Sequence, residues 1–130
     1  MERNEKTRAL LAAFGCALAY LLAGKALTAV LPPVPEEAAR MWAFVHRCAA
    51  APIVEELVFR GIIQQLARPL GERQAVALQA VLFAVQHKGP AGMAYALVCG
   101  LVLGTIRSRT GSVWPGMLLH TLNNLLVFAA

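Results

Sequence analysis

Charge is scarce in this chain. Its 130 residues include 12 lysines and arginines and 7 acidic residues, 15% in all, against about 25% in soluble domains. A soluble domain of this size must cover itself with polar side chains, and so few charges, clustered as they are, cannot do that. A disordered chain or a coiled coil is excluded on the same ground. The 3 cysteines are odd in number, and Cys16, Cys48 and Cys99 each lie in an apolar stretch, where they read as small hydrophobes and not as a disulfide scaffold. Internal repeats and low-complexity segments are absent. What is abundant is apolar surface: 58% hydrophobic residues and a mean hydropathy of +0.60, the composition of a membrane protein. The length allows one bundle of about four to six spans of about 20 residues each. A net charge of +5 would point a soluble chain toward nucleic acid. Here the basic residues sit between apolar runs, where membrane orientation accounts for them, so the expected surroundings are a lipid bilayer and no nucleic-acid partner.

Residues 9–24 are uncharged, and Lys25 is followed by an apolar stretch to Leu31, giving a first span of about 23 residues whose lysine can snorkel to the interface. Arg3, Lys6 and Arg8 give it a signal-like basic flank. The apolar run is long, however, and no clear small-x-small cleavage site precedes Pro32-Pro33, which predicts a retained anchor. A Pro-rich acidic loop (Pro32, Pro33, Pro35, Glu36, Glu37) leads to a second helical stretch, residues 38–67, which Pro52 is expected to kink or break. Arg68-Pro69-Leu70-Gly71 ends it. A third helix is predicted over residues 72–87, a tight turn at Lys88-Gly89-Pro90, a fourth helix over 91–107, and a last one from near Ser112 to Ala130 with Pro115 in its first turn. The fold class is therefore all-α, a polytopic helical membrane bundle of about five transmembrane helices. Residues 1–37 form an N-terminal anchor and Pro-rich loop, and residues 38–130 a helical core. With the N-terminus in the cytoplasm, Arg3, Lys6, Arg8, Arg68, Arg73, Arg107 and Arg109 fall inside and only Arg40 and Lys88 outside, as expected of a multi-pass protein of the inner (plasma) membrane.

Five charges fall within apolar segments, Lys25, Arg47, Glu55, Glu56 and Arg60, and the last three form one cluster. A charge at such depth costs several kcal/mol unless partnered. Glu56 and Arg60 are four apart with the acid first, the favourable order for a same-face ion pair, while Glu55 points about 100° away. Glu55 is then the unpaired carboxylate, suited to general acid–base work; the bland alternative makes it a cap for the segment after Pro52. Phe83 and His87, four apart on the third helix, share a face, as do His120 and Asn124 on the last. One membrane histidine is often hydrogen-bonding glue. Two histidines, an asparagine and a Glu-Glu-Arg cluster on three helices are not readily explained that way.

These residues carry a resemblance. EExxxR (Glu55, Glu56, Arg60), FxxxH (Phe83, His87) and HxxxN (His120, Asn124), complete and in this order on successive helices, resemble the CPBP family of intramembrane proteases, also called the Abi or CAAX-protease family, over about Ala49 to Val127. The family includes the eukaryotic enzymes that trim prenylated CaaX tails. The resemblance implies that residues 38–130 are the catalytic core of an intramembrane endopeptidase, a glutamic-type hydrolase formerly classed with metallopeptidases. Glu55 and His87 would activate the attacking water. Glu56 and Arg60 would hold their helix in place, and Phe83 would support the site. His120 and Asn124 would polarise the scissile carbonyl and stabilise its oxyanion.

A Ser or Cys nucleophile is not required, since Ser108 and Ser112 fall in a loop and the cysteines have no evident histidine partner on the same helix face. Glu55, His87 and His120 could chemically make a His2Glu zinc site. The chain has no HExxH, and only Glu56 could supply a ligating histidine with its carboxylate partner, so no cofactor is expected. The predicted topology opens the site near the outer leaflet, where the substrate would be a membrane protein or lipidated peptide: the sorting tail of an exported protein, as some short bacterial members are thought to process, or a CaaX-like tail. The rival reading is a non-proteolytic immunity, binding or scaffold protein of the same family.

Overall fold

The computed structural model describes residues 2–130, and all regular structure among them is helical. Helix α1 (Glu2–Val30) is 29 residues long, about 43 Å at 1.5 Å per residue. Its large side chains, among them Leu11, Phe14, Leu18 and Leu22, point outward. Ala9, Ala13 and Ala17, spaced by four, are buried, and small residues at that spacing let two helix backbones approach closely. Tyr20 closes this seam with its ring edge-on to Phe59, centroids 5.5 Å apart.

After the Pro-rich loop the chain stays helical over residues 36–66, here called α2. Of the kink or break expected at Pro52, a break does not occur. Two π-helical stretches, His46–Ala50 and Glu56–Ile63, are set into the α-helical run and flank Pro52. The first absorbs the proline. Ala51 donates its N–H to His46 in the wider π register, and Pro52 has no N–H to give, so the Arg47 carbonyl loses both of its helical donors without the axis having to break.

A short 3₁₀ turn (Arg68–Leu70) then leads to α3 (Glu72–Ala84), α4 (Gly89–Thr110) and α5 (Trp114–Ala129). Pro90 and Pro115 lie in the first turns of α4 and α5, where a missing N–H costs nothing. Helix α3 ends three residues before His87, which lies in the connection to α4. Helices α3 and α4 pack almost backbone to backbone at Gly100, where an added Cβ would stand 2.9 Å from both Cα and Cβ of Ala80. Gln79 fastens the pair by donating to the Gly100 carbonyl at 2.7 Å, and Gln64 of α2 reaches the Gly104 carbonyl at 2.9 Å.

The exterior is apolar and the interior mixed. Glu56, Arg60, Gln64, Gln79 and His120 are buried beside apolar residues such as Phe59, Ile63 and Phe83, while large apolar side chains of every helix are exposed. So much exposed apolar surface, with ionisable groups held inside, suits lipid surroundings. Two of the helices, Glu2–Val30 and Gly89–Thr110, are each long and apolar enough to cross a membrane.

Candidate active site

Glu56 and Arg60 make the ion pair that their spacing predicts. Both are fully buried, with Nη1 of Arg60 2.9 Å from Oε1 of Glu56. The guanidinium lies 4.4 Å from the centroid of the Phe83 ring, a cation–π contact worth more than usual where water is excluded. Phe83 is the hub of an aromatic chain. It meets Phe59 at 5.1 Å, His87 at 4.6 Å and His120 at 5.9 Å, all edge-to-face, which fixes the planes of both histidines.

His120 of α5 inserts between the two glutamates of α2. Its Nδ1 is 2.9 Å from the same Oε1 of Glu56 that takes the arginine, and its Nε2 is 3.6 Å from Oε2 of Glu55. Since the carboxylate of Glu56 can only accept, Nδ1 is the donor, and Nε2 is the nitrogen turned toward Glu55. The approach is possible because residue 116, one turn earlier on α5, is glycine. A Cβ there would stand 2.7 Å from Oε2 of Glu56. His87 places Nδ1 3.0 Å from the carbonyl of Phe83; with its proton on Nδ1, it presents Nε2 as an acceptor.

Glu55, His87, His120 and Asn124 all line one cavity of about 380 Å³, together with His46, Arg47, Tyr95 and Asn123. Asn124 donates from Nδ2 to the Arg47 carbonyl at 2.8 Å, the carbonyl that the π turn and Pro52 leave without a helical donor. Its Oδ1 accepts from Nδ2 of Asn123 at 3.3 Å, and Oδ1 of Asn123 accepts from the hydroxyl of Tyr95. A primary amide has two hydrogens, so one donor of Asn124 is committed to structure and one is left for the cavity.

The structure thus brings together every residue singled out in the sequence, and adds four. His46 stacks on Trp42 at 6.3 Å. Tyr95 and Asn123 complete the hydrogen-bonded row, and Gly116 gives Glu56 its room. Asn123 had one sequence signal, its place beside Asn124. As to a metal, Glu56 does give His120 the carboxylate partner that a ligating histidine wants. Among the described residues no group of three His, Cys, Asp or Glu side chains is placed to hold an ion as they stand.

No curated protein and no solved structure matches the chain. A family model does: type II CAAX prenyl endopeptidase Rce1-like, over residues 37–126. That span holds all three motifs and every residue named above around the cavity, so the chain belongs to the Rce1-like type II CAAX prenyl endopeptidase family, a family of membrane proteases.

Proposed function

We propose that the protein is an intramembrane endopeptidase that hydrolyses a peptide bond near the C-terminal tail of a membrane-associated protein, with water as the nucleophile. The observation that carries this reading is the gathering of Glu55, His87, His120 and Asn124 around one cavity inside an otherwise apolar bundle. In the proposed reaction Glu55, aided by His87, takes a proton from water as the oxygen attacks the carbonyl carbon. The carbonyl oxygen becomes an oxyanion, held by the uncommitted amide hydrogen of Asn124 and by Nε2 of His120 when that nitrogen carries a proton. The abstracted proton then passes to the departing amine as the C–N bond breaks. Glu56 and Arg60 act on this chemistry only through position, Glu56 by holding His120 at Nδ1 and both by tying α2 to the aromatic chain. No metal or other cofactor enters the scheme.

In the proposed topology residues 1–37 anchor the chain and residues 38–130 form the catalytic core, with five crossings and a cytoplasmic N-terminus in the inner (plasma) membrane. The placement of arginines supports it: Arg68, Arg73, Arg107 and Arg109 gather at one end of the bundle, and the cavity opens toward the other. Substrates would be exported proteins with sorting tails, cut near the outer leaflet. Comparing membrane-protein C-termini in cells with and without the protein tests the reading. A tail left uncut in its absence is expected, and identical termini would overturn it. A tag at residue 130 found on the cytoplasmic side would turn the site inward, toward CaaX-like tails.

A further inference from the structure

A second cavity, of about 260 Å³, lies at the other end of the bundle, where α2, the Arg68–Leu70 turn and the end of α4 meet. It is several times the roughly 30 Å³ that a water molecule occupies in the liquid. Three arginines line it, Arg60, Arg68 and Arg107, against one carboxylate, Glu72. Glu72 is already engaged: Arg68 pairs with it at 3.6 Å across an exposed edge, and the hydroxyl of Ser108 donates to its other oxygen. Arg68 also donates to Gln65, and Gln64 to Gly104 and Ser108, which leaves Oε1 of Gln64 unpartnered. Other donors are not engaged. Nε and Nη2 of the fully buried Arg60, and Nε of Arg107, have no hydrogen-bonding partner among the described residues. Arg60 has its counter-charge in Glu56, which does not line this cavity, and Arg107 has none among the described residues.

Buried guanidinium nitrogens without acceptors are costly. The ligand that satisfies several at once, at this volume and with this excess of positive charge, is a tetrahedral oxyanion whose oxygens can be shared between planar donor groups. We infer that this cavity is an anion site that takes a phosphate group, carried by an anionic phospholipid headgroup or free in solution, at the end of the bundle opposite the candidate active site. Basic pockets between membrane helices are a recurrent headgroup site. The inference does not rest on the proteolytic reading: of the arginines here only Arg60 also supports the candidate active site, and Arg68 and Arg107 take no part in it.

The test uses the whole protein in nanodiscs of phosphatidylcholine with and without phosphatidylglycerol, and in neutral detergent with sodium phosphate against sodium chloride at equal ionic strength. Thermal melting and native mass spectrometry report binding. The expected result is a higher Tm and a retained phosphatidylglycerol, weakened on the order of tenfold or more in Arg107→Gln and unaltered in Arg109→Gln, an exposed arginine two residues on. Stabilisation by phosphatidylglycerol alone assigns the site to a headgroup; equal stabilisation by inorganic phosphate assigns it to the free anion. No response to either probe overturns the inference. So does an equal loss in Arg109→Gln and Arg107→Gln, which would make the effect one of diffuse surface charge.

Discussion

Asn124 donates its amide hydrogen to the carbonyl of Arg47 at 2.8 Å, across from α5 to α2, at the carbonyl left unpaired by Pro52 and the π turn before it. The last motif asparagine is thereby tied to the proline that opens the first motif. One side chain then has two duties, repairing a helix and offering its second hydrogen to the cavity.

The two duties separate in a double-mutant cycle. Asn124→Ala is expected to lower stability by about 1 kcal/mol by orphaning the Arg47 carbonyl, and to lower kcat by about 10²–10³-fold if the second hydrogen stabilises an oxyanion. Pro52→Ala supplies a backbone N–H that can take the carbonyl instead. In that background Asn124→Ala should cost little stability yet lose the same activity, measured by chemical denaturation and peptide cleavage. Recovery of activity along with stability would leave Asn124 a purely structural residue.

The adjacent glutamates should fail in different ways. Glu55 is partly exposed to the cavity and its carboxylate lies 3.6 Å from His120, with no ion pair to Arg60 among the described residues, so Glu55→Gln is expected to fold normally and lose about 10²–10⁴-fold in kcat. Glu56 is fully buried between Arg60 and His120. Glu56→Gln leaves a buried guanidinium without its counter-charge, for about 3–5 kcal/mol, and should appear first as reduced folded yield. Pairing it with Arg60→Met should restore yield but not activity, because the neutral amide left at position 56 is a weaker acceptor for Nδ1 of His120 than a carboxylate and no longer favours a positive charge on that ring. Equal yields and equal activities for the two single variants would contradict this division.

Gly116→Ala probes how tightly the site is set. The added methyl would meet Oε2 of Glu56 at 2.7 Å, inside contact distance, and must push the carboxylate or α5 away. Displacements of this order cost up to about 10²-fold in rate when they misalign reacting groups. Gly15→Ala on α1 meets nothing within 4 Å and serves as the control. Cleavage rates that match in the two variants would show that the contact between Gly116 and Glu56 is not limiting.

The parts of this site that the sequence revealed are those whose geometry is local. Glu56 and Arg60 pair because they are four apart, Glu55 turns elsewhere because it is one residue off, and the ordered motifs carried His87, His120 and Asn124. What stayed hidden depends on departures from the ideal helix. His46 and Glu55 are nine residues apart, which at about 100° per residue places them on opposite faces of an α-helix. The π stretch at His46–Ala50 adds a residue to the turn, reducing the separation to about 80° and setting both on one cavity. No pattern of residue types announces such a stretch. For the same reason Pro52, by rule a residue that kinks or breaks a helix, sits here in one that stays continuous. Tyr95 and Gly116 were hidden differently: each is ordinary in its own helix and matters only for what another helix brings opposite it, Asn123 for the tyrosine and Glu56 for the glycine.

The metal question closes on a measurement. His120 is oriented through Nδ1 by Glu56 and His87 by the Phe83 carbonyl, so both can present Nε2 to the cavity, which is how histidines that bind zinc are commonly prepared. A structural zinc site also needs a fourth ligand and a catalytic one a third, at about 2.0–2.2 Å from a common point, and no such convergence occurs among the described residues. With Glu55 free to act as base, cleavage is expected to survive exhaustive dialysis against a chelator and to gain nothing from added zinc. The purified protein should carry well under one zinc per chain by elemental analysis. Stoichiometric zinc whose removal abolishes cleavage and whose return restores it would make Glu55 a ligand and overturn its role as base.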